Sequence, residues 1–441
     1  MAKDAALMDK IVSLSKRRGF VFPGSEIYGG VGSTYDYGPL GVELKMNIKS
    51  IWWKSMTLRD DIVGFDAAIL MNPKVWEASG HVEGFTDPMV DCRQCKSRFR
   101  EDEIPEKNRK AGQCPKCGTK DSLTEARKFN LMFKTHVGPV EDDASISYLR
   151  PETAQGIYVN FKNVVDTSRQ KIPFGIAQIG KAFRNEITPG NFIFRTLEFE
   201  QMEMQYFIRP EDDEEQFEKW KDKRMRWYEE LGIKSENLRF HEHSPEELAH
   251  YAKKAVDIEY DFPFGWKELE GIHNRTDFDL KRHIEHSGKR LDYFDEPSGE
   301  RFVPYIIETS AGVDRTALTC LVDAYAEEEV NGEKRVILKF SPNLAPIKVG
   351  IFPLVNKEGM PEFAEKLAQD VRKYFATFYD SKGAIGRRYR RMDEAGTPYG
   401  ITIDSETLEN GSVTIRDRDS MSQERISAES VVSVLTDKLD S

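Results

Sequence analysis

A mixed α+β fold is what this sequence predicts: a strand-rich body, a zinc-ribbon-like insertion and a separate α/β domain towards the C-terminal end. Three observations carry it. From Lys128 the pattern breaks into short apolar strands, FNLMFKTHVG, SISYLRPETAQGIYVNFKNV and KIPFGIAQIGKAFRNEI. Two Cys-x2-Cys pairs stand close together, at Cys92 and Cys95 and at Cys114 and Cys117. After Phe340, SPNLAPIK carries two prolines within five residues, a linker signature. KVGIFPLV, MPEFAEKLAQDVRKYFATF, GITID and GSVTIRDRD then alternate strand with helix, the rhythm of an α/β unit of about 95 residues.

At 441 residues the chain exceeds what one hydrophobic core supports, so two or three domains are expected. A composition 39% hydrophobic and 32% charged is that of an ordinary globular protein. No run of about 18 apolar residues predicts a membrane helix. The N-terminal MAKDAALMDKIVSLSKRRGF mixes acids and bases without the continuous apolar core of a signal peptide, so a cytoplasmic protein is expected. A net charge of −11 argues against a broad basic surface that grips nucleic acid along its length, though it leaves room for a local basic patch. Five cysteines, four of them in two pairs, do not read as a secreted disulfide framework.

In chain order, residues 5–18 have helical spacing and stop at Gly19. The Gly- and Tyr-rich FVFPGSEIYGGVGSTYDYGPLG is loop or short strand. VELKMNIKSIWWKSMT (42–57) is a helix with Leu44, Ile48, Ile51 and Trp52 on one side, and its paired tryptophans suit a core or a subunit interface. In DAAILMNPKVWEASGH, Pro73 ends an apolar strand-like run. Each Cys pair forms a knuckle that offers two thiolates at about 2.3 Å from one Zn²⁺, and two knuckles complete a tetrahedron. Sulfur fills all four positions, so the metal is structural. Cys320, in an apolar helical context, is simply buried.

Residues 211–231 read as a solvated charged helix, and His241 and His243 alternate as a strand surface does. FPFGWKELEGIHNRTDFDLKRHIEHSG carries many polar groups after a turn. Tyr305 to Leu321 is a buried strand, a small-residue turn, then a helix starting near Gly312, whose N-terminus beside Arg315 is a ready anion site.

The most informative stretch runs from Phe183 to Gln205. It reads as two strands joined by a loop carrying Pro189, Gly190 and Asn191. Arg195, Phe199 and Glu203 share one parity, so they lie on one strand face, roughly 13 Å from one to the next. A cation, an aromatic ring and a carboxylate stand in series, with Arg184 as a second cation. That layout suits a ligand anionic at one end, planar in the middle and cationic at the other. Near the C-terminus, KGAIGRRYRRMDEAG clusters Lys382, Arg387, Arg388, Arg390 and Arg391 around Tyr389, a pattern suited to phosphate contacts and base stacking on single-stranded RNA.

FRNE (183–186) followed by Arg195 and Phe199, and AGVDR (311–315), resemble the second and third motifs of class II aminoacyl-tRNA synthetases. In the third, Ser310 and Val313 stand where glycine is common. RGFVFPGSEIYGG, YDYGPLG, SGHVEGF, LRPETAQG and FEQME extend the resemblance over almost the whole chain, to the bacterial homodimeric glycyl-tRNA synthetases. The resemblance implies an antiparallel sheet of six or seven strands flanked by helices in a catalytic domain over residues 1–340, with a zinc insertion at 90–122. It also implies a first motif within Gly41–Pro73 at a homodimer interface, and an anticodon-binding domain over 345–441. The implied reaction uses ATP with Mg²⁺ to convert glycine to glycyl-adenylate, then passes glycine to the 3′ end of tRNA-Gly.

Residue by residue, the resemblance implies that Arg184 holds the α-phosphate, while Arg195 and Arg315 reach the far phosphate or the adenine. These three are the implied catalytic residues. Further ATP contacts fall on Asn185 and Glu186, on Phe194, Thr196, Leu197, Glu198 and Phe199, on Glu268 and Leu269, and on Gly312, Val313 and Asp314. Phe199 stacks on adenine with Arg315 against the other face, and Glu268, with Glu308, holds Mg²⁺. For glycine, Glu152, Glu203 and Glu308 receive the ammonium, and Ser310 fills the space of a β-carbon. Arg100, Phe199, Glu200, Gln201, Met202, Thr309, Ala311 and Gly312 complete that pocket. Arg387, Arg388, Tyr389 and Arg391 meet the anticodon. The glycine carboxylate is already an anion, so activation needs no general base, and none is evident for the transfer step. Synthetases for serine, threonine or proline share parts of this pattern. A catalytically dead RNA-binding relative should have lost Arg184, Arg195 or the glutamates, and all are present.

Overall fold

The structure, a computed structural model, describes residues 5–187, 190–249, 251–357 and 359–440. Pro189, expected in the loop of the central hairpin, lies outside the described residues. Helix α1 (Ala5–Arg18) buries Ile11 and Leu14 and ends in Lys16, Arg17 and Arg18, whose charges suit the negative end of the helix dipole. Helix α2 (Pro39–Thr57) starts with proline at its first turn, where no N–H is needed, and buries Leu44, Ile48, Trp52 and Met56 at four-residue steps.

The body is one seven-stranded sheet. Its members are β1 (Ile62–Gly64), β2 (Phe174–Phe183), β3 (Glu198–Ile208), β4 (Leu238–Glu242), β5 (Lys254–Phe262), β6 (Gly265–Thr276) and β7 (Tyr305–Gly312). They run in the order β4-β5-β6-β7-β3-β2-β1, antiparallel except for the edge pair of β1 with β2. One apolar cluster joins the sheet to α1, α2, helix α4 (Asp213–Glu230) and helix α6 (Val313–Ala324). A second packs helix α3 (Ala154–Ser168) and helix α5 (Phe278–Ser287) on the sheet, through Phe161, Phe174, Phe207 and Leu280.

Two local expectations change. Pro73 does not end a strand. It opens the short helix Pro73–Ala78, with the Asn72 side chain accepting from the Lys74 N–H, and among the described residues the run 66–72 contributes no strand, making one isolated bridge, Leu70–Leu149. Helix α4 is not a solvated helix either. Phe217, Trp220, Trp227 and Tyr228 are buried, and Arg224 forms a two-pronged pair with Glu270 of β6 at 2.6 and 3.1 Å. A buried partner on another strand neutralises the arginine, and nothing local in the sequence signals that.

The cysteine insertion is a three-stranded antiparallel sheet of Thr86–Asp91, Arg98–Arg100 and Arg127–Asn130. The C-terminal unit has its own apolar core. Its sheet comprises β8 (Val349–Pro353), β9 (Thr377–Tyr379), β10 (Tyr399–Ile403), β11 (Ser412–Asp417) and β12 (Gln423–Ser427), in the order β9-β8-β10-β11-β12. Helices α7 (Met360–Val371), α8 (Ile385–Ala395) and α9 (Val431–Asp440) accompany it. The proline-rich junction is packed, not free: Leu344 and Ala345 are buried, and Asn47 of α2 donates to both their carbonyls. Arg335, fully buried, ties the hairpin 325–338 to Asp393 of α8 at 2.8 Å.

Candidate active site

Strand register builds the site. Glu203 of β3 lies opposite Ser310 of β7, Ser310 opposite Gly271 of β6, and Gly271 opposite Asp257 of β5, one row across four strands. Alternate residues share a face. A cavity of about 290 Å³ is accordingly lined by Phe199, Gln201 and Glu203, by Glu308, Ser310 and Gly312, and by Gly271, His273 and Arg275, while a register shift opposite Ile258 and Glu259 accompanies the presence of Glu268 in the same lining. Arg195 precedes β3 as an extended residue bridged to Gly190, yet it lines the same cavity, as does Arg184 at the end of β2.

One end of this cavity is acidic, and its charges balance except at one residue. Arg275 pairs with Asp279 at 2.8 Å and with Glu308 at 3.1 Å, and His273 Nδ1 lies 2.9 Å from Glu308. His81 faces Glu152 at 3.4 Å. Burial opposes ionisation of Glu308, but Arg275 and His273 outweigh it and hold the carboxyl below its ordinary range. Burial also pushes Glu152 up, and His81 followed by Arg275 brings it down to about 2. Glu203 has no such partner. It is 1% exposed, accepts only from the Thr153 hydroxyl and the Gln205 amide, and makes no ion pair among the described residues. Burial, with Glu308 and Glu152 close by, raises its carboxyl well above the ordinary range. Glu203 is a buried acid waiting for a cation.

The other end is cationic, again with one charge unmatched. Arg195 pairs with Glu103 at 3.0 Å and Arg315 with Glu268 at 3.2 Å. Arg184 donates to the Pro151 carbonyl and lies 5.3 Å from the centres of both Phe85 and Phe199, with no carboxylate partner among the described residues. Thus Phe199 separates one unpaired cation from the unpaired acid. Nearby, Glu186 Oε2 is buried without a hydrogen-bond partner among the described residues, and Glu186 lines the cavity.

Two family models match the chain: a tRNA synthetase class II core domain (G, H, P, S and T) over residues 133–325, and an anticodon binding domain over residues 348–438. A glycine–tRNA ligase of Treponema denticola is 58% identical over 433 residues, covering 97% of this chain and 96% of that one. Those of Caldanaerobacter subterraneus subsp. tengcongensis and Thermobifida fusca are 56% and 53% identical, and each aligns over 98% or more of both chains. The chain belongs to the glycine–tRNA ligase family.

Within this ligase fold, several residues expected at the site lie elsewhere. Glu198 pairs with Lys181, Glu200 pairs with Lys45 and Lys49 of α2, and Met202 is in the core. They occupy the opposite parity of β3 and face away from the cavity, as do Thr309 and Ala311 on β7. Leu197 contributes backbone bonds only, Asn185 donates its N–H to the Leu131 carbonyl, and Leu269 and Val313 are core residues. Arg100 does not line the cavity. It pairs with Asp87 and Asp102 in the insertion, and Glu103 there reaches Arg195. Arg315 lies over Phe194 at 4.5 Å, while Arg184 lies over Phe199 at 5.3 Å. Asp314 lines the cavity, with its carboxylate held by Lys45, Tyr37 and the Glu200 N–H. Residues the sequence reading missed are His81, Thr153, Gln205, His273 and Arg275. The period-two run Gly271, His273, Arg275 was the available signal.

The four cysteines of the ligase converge. All their sulfurs lie within 4.8 Å of one another, with Cys92–Cys117 and Cys95–Cys114 at 3.7 Å. Four thiolates bound tetrahedrally at about 2.3 Å are about 3.8 Å apart, so the set fits one zinc ion. Each knuckle also turns an N–H onto its first sulfur, Cys95 onto Cys92 and Cys117 onto Cys114, both at 3.5 Å.

In the C-terminal unit the basic cluster divides. Arg388 is 2% exposed and donates to the carbonyls of Pro353, Leu354 and Asp380, because it shares the inward face of α8 with Met392 and Ala395. It presents no charge to a ligand. Arg391 is held by Asp380, and the Tyr389 hydroxyl by Thr402. A groove beside them is lined by Arg387, Tyr389, Arg390 and Arg416.

Proposed function

We infer that the protein joins glycine to tRNA, with ATP split to AMP and diphosphate. The observation that carries this reading is the pair of unmatched charges, Glu203 and Arg184, at either end of Phe199. Glycyl-adenylate is an ammonium and a phosphate held a short distance apart, with an adenine beyond. Its ammonium supplies the cation Glu203 lacks, and its α-phosphate the anion Arg184 lacks. Glu186 Oε2 is a free acceptor for the adenine amine. Because glycine attacks through a carboxylate, the protein supplies positioning and charge neutralisation and no base.

Mg²⁺, when bound, neutralises charge on the phosphates. Glu268, half exposed and paired among the described residues only with Arg315, can share its carboxylate with the ion, whereas Glu308 is committed to Arg275, His273 and Gln205. Zinc in the four-cysteine cluster folds the insertion, and the reducing cytoplasm keeps those thiols available to it. Residues 1–340 carry the chemistry and 345–441 the anticodon contacts, which fall on Arg387, Arg390 and Arg416 in place of Arg388. A homodimer would cover the exposed Val42 and Met46 on α2, with Leu58 beyond its end.

Charging assays with ATP and a glycine-specific tRNA should attach glycine and no other amino acid; charging with serine, threonine or proline would overturn the reading. Ser310, bonded to Gln201 at 3.3 Å, stands where a substrate side chain would point. Ser310→Gly should relax discrimination against alanine about tenfold, the scale of one methylene contact, and unchanged selectivity would remove Ser310 from the pocket. Wild-type protein should carry one zinc per chain by atomic emission. Cys114→Ser should lose that zinc and raise hydrogen exchange across residues 86–130 while β2, β3 and β7 stay protected.

A further inference from the structure

One short segment lies outside the cavity lining yet reaches a charged group at each end of it: residues 79–85, SGHVEGF. Gly80, at φ 81, turns the chain out of the helix Pro73–Ala78 into the single turn His81–Gly84. The cysteine insertion grips that turn at its base. Asn130, at the end of the strand Arg127–Asn130, donates to the carbonyls of His81 and Val82 at 3.1 and 2.9 Å. The Leu131 N–H donates to the Phe85 carbonyl, and the Leu131 carbonyl accepts from Asn185, the residue after Arg184.

His81 serves the acidic end. Its ring centre lies 5.5 Å from that of the fully buried Trp76 and 5.4 Å from that of Phe85. Ser79 Oγ is 2.8 Å from Nδ1, which turns Nε2 towards Glu152 Oε2 at 3.4 Å. The other oxygen of Glu152 accepts from the Gln155 amide at 3.0 Å. Burial raises the Glu152 carboxyl, and His81 is the foremost of the groups that bring it down. Without His81, Glu152 would keep its burial and its acidic neighbours Glu203 and Glu308, and lose the contact that most offsets them.

Phe85 serves the cationic end. With no carboxylate partner among the described residues, Arg184 is set by the Pro151 carbonyl and by Phe85 and Phe199, each ring centre 5.3 Å away. An aromatic face attracts a guanidinium without cancelling its charge, so the cation stays available to an anion.

We propose that His81 and Phe85 are positioning residues for the activation step, His81 turning Glu152 to the glycine ammonium and Phe85 holding Arg184 at the α-phosphate. This rests on the ligase reading. Neither residue lines the cavity, so each acts through the charged group it holds.

Pyrophosphate exchange, with glycine and ATP varied separately, tests this by a crossed result. His81→Phe keeps a ring beside Trp76 and Phe85; it should raise the KM for glycine about tenfold, the scale of a contact to a charged group, and leave the KM for ATP unchanged. Phe85→Leu should lower kcat about fivefold, the scale of one cation–π contact, and leave the KM for glycine close to that of the wild type. His81→Gln keeps an N–H for Glu152 and Phe85→Tyr keeps the ring, so each should recover most of the lost value. Variants that shift the same constants, or shift none, would overturn the proposal, because a segment that only supports the fold would move both substrates together. Collapse of the melting temperature in His81→Phe or Phe85→Leu would overturn it too, by making the role structural. A wild-type protein that shows no glycine-dependent exchange would overturn the ligase reading instead.

Discussion

Glu203→Gln should raise the KM for glycine about 10²- to 10³-fold while leaving the KM for ATP close to that of the wild type. The substitution leaves a buried ammonium facing a neutral amide, and breaking a buried ion pair costs about 3–5 kcal/mol. An unchanged glycine KM would show that the ammonium binds elsewhere. Stability should respond in the opposite direction. In the unliganded protein Glu203 is buried against Glu308 and Glu152, and its folded-state pKa is raised. A raised pKa contributes stability that is fully present below the unfolded value, about 4.3 for glutamate, and lost as pH rises through the folded value. Melting curves of wild type and variant should thus converge at low pH, with the variant gaining as pH rises. By the same linkage, glycine binding below the folded-state pKa should release a proton, read by calorimetry in buffers of different ionisation enthalpy. Binding with no proton exchange would mean that Glu203 is already ionised.

Arg184→Ala should lower glycine-dependent pyrophosphate exchange by about 10³-fold, the scale of losing a preorganised donor at a developing charge. The fold should survive. Arg184 has no carboxylate partner among the described residues, so its removal orphans no buried acid; it gives up one bond to the Pro151 carbonyl and two ring contacts. Arg184→Lys should recover only part of the rate, because an ammonium keeps the charge and loses the planar fork. Normal exchange in the alanine variant would remove Arg184 from the phosphate site. A collapse of its melting temperature would make the role structural.

What the sequence made legible follows from periodicity. The parity that places Phe199 and Glu203 together, the spacing of the two cysteine knuckles and the helix that begins after Gly312 are all local patterns, and each appears in the fold. The same parity shows why Glu200, Met202, Thr309 and Ala311 face away from the cavity: a contiguous run in a strand alternates faces. The pairings are what local pattern cannot show. Arg388 reads as a surface cation until the carbonyls of Pro353 and Leu354 close around it, and Arg224 reads as solvated until Glu270 arrives from another strand. The partners that leave Glu203 alone among the acids, Arg275, His273 and His81, are brought to the site by tertiary contact across distant segments.

Amino-acid-dependent exchange of pyrophosphate into ATP, run with each of the twenty amino acids on wild-type protein, bears most directly on the account. It isolates the activation step, in which the unmatched Glu203 and Arg184 meet the ammonium and the α-phosphate. Exchange with glycine alone is the predicted result. Exchange driven by serine, threonine or proline, or no exchange with glycine, would contradict the account.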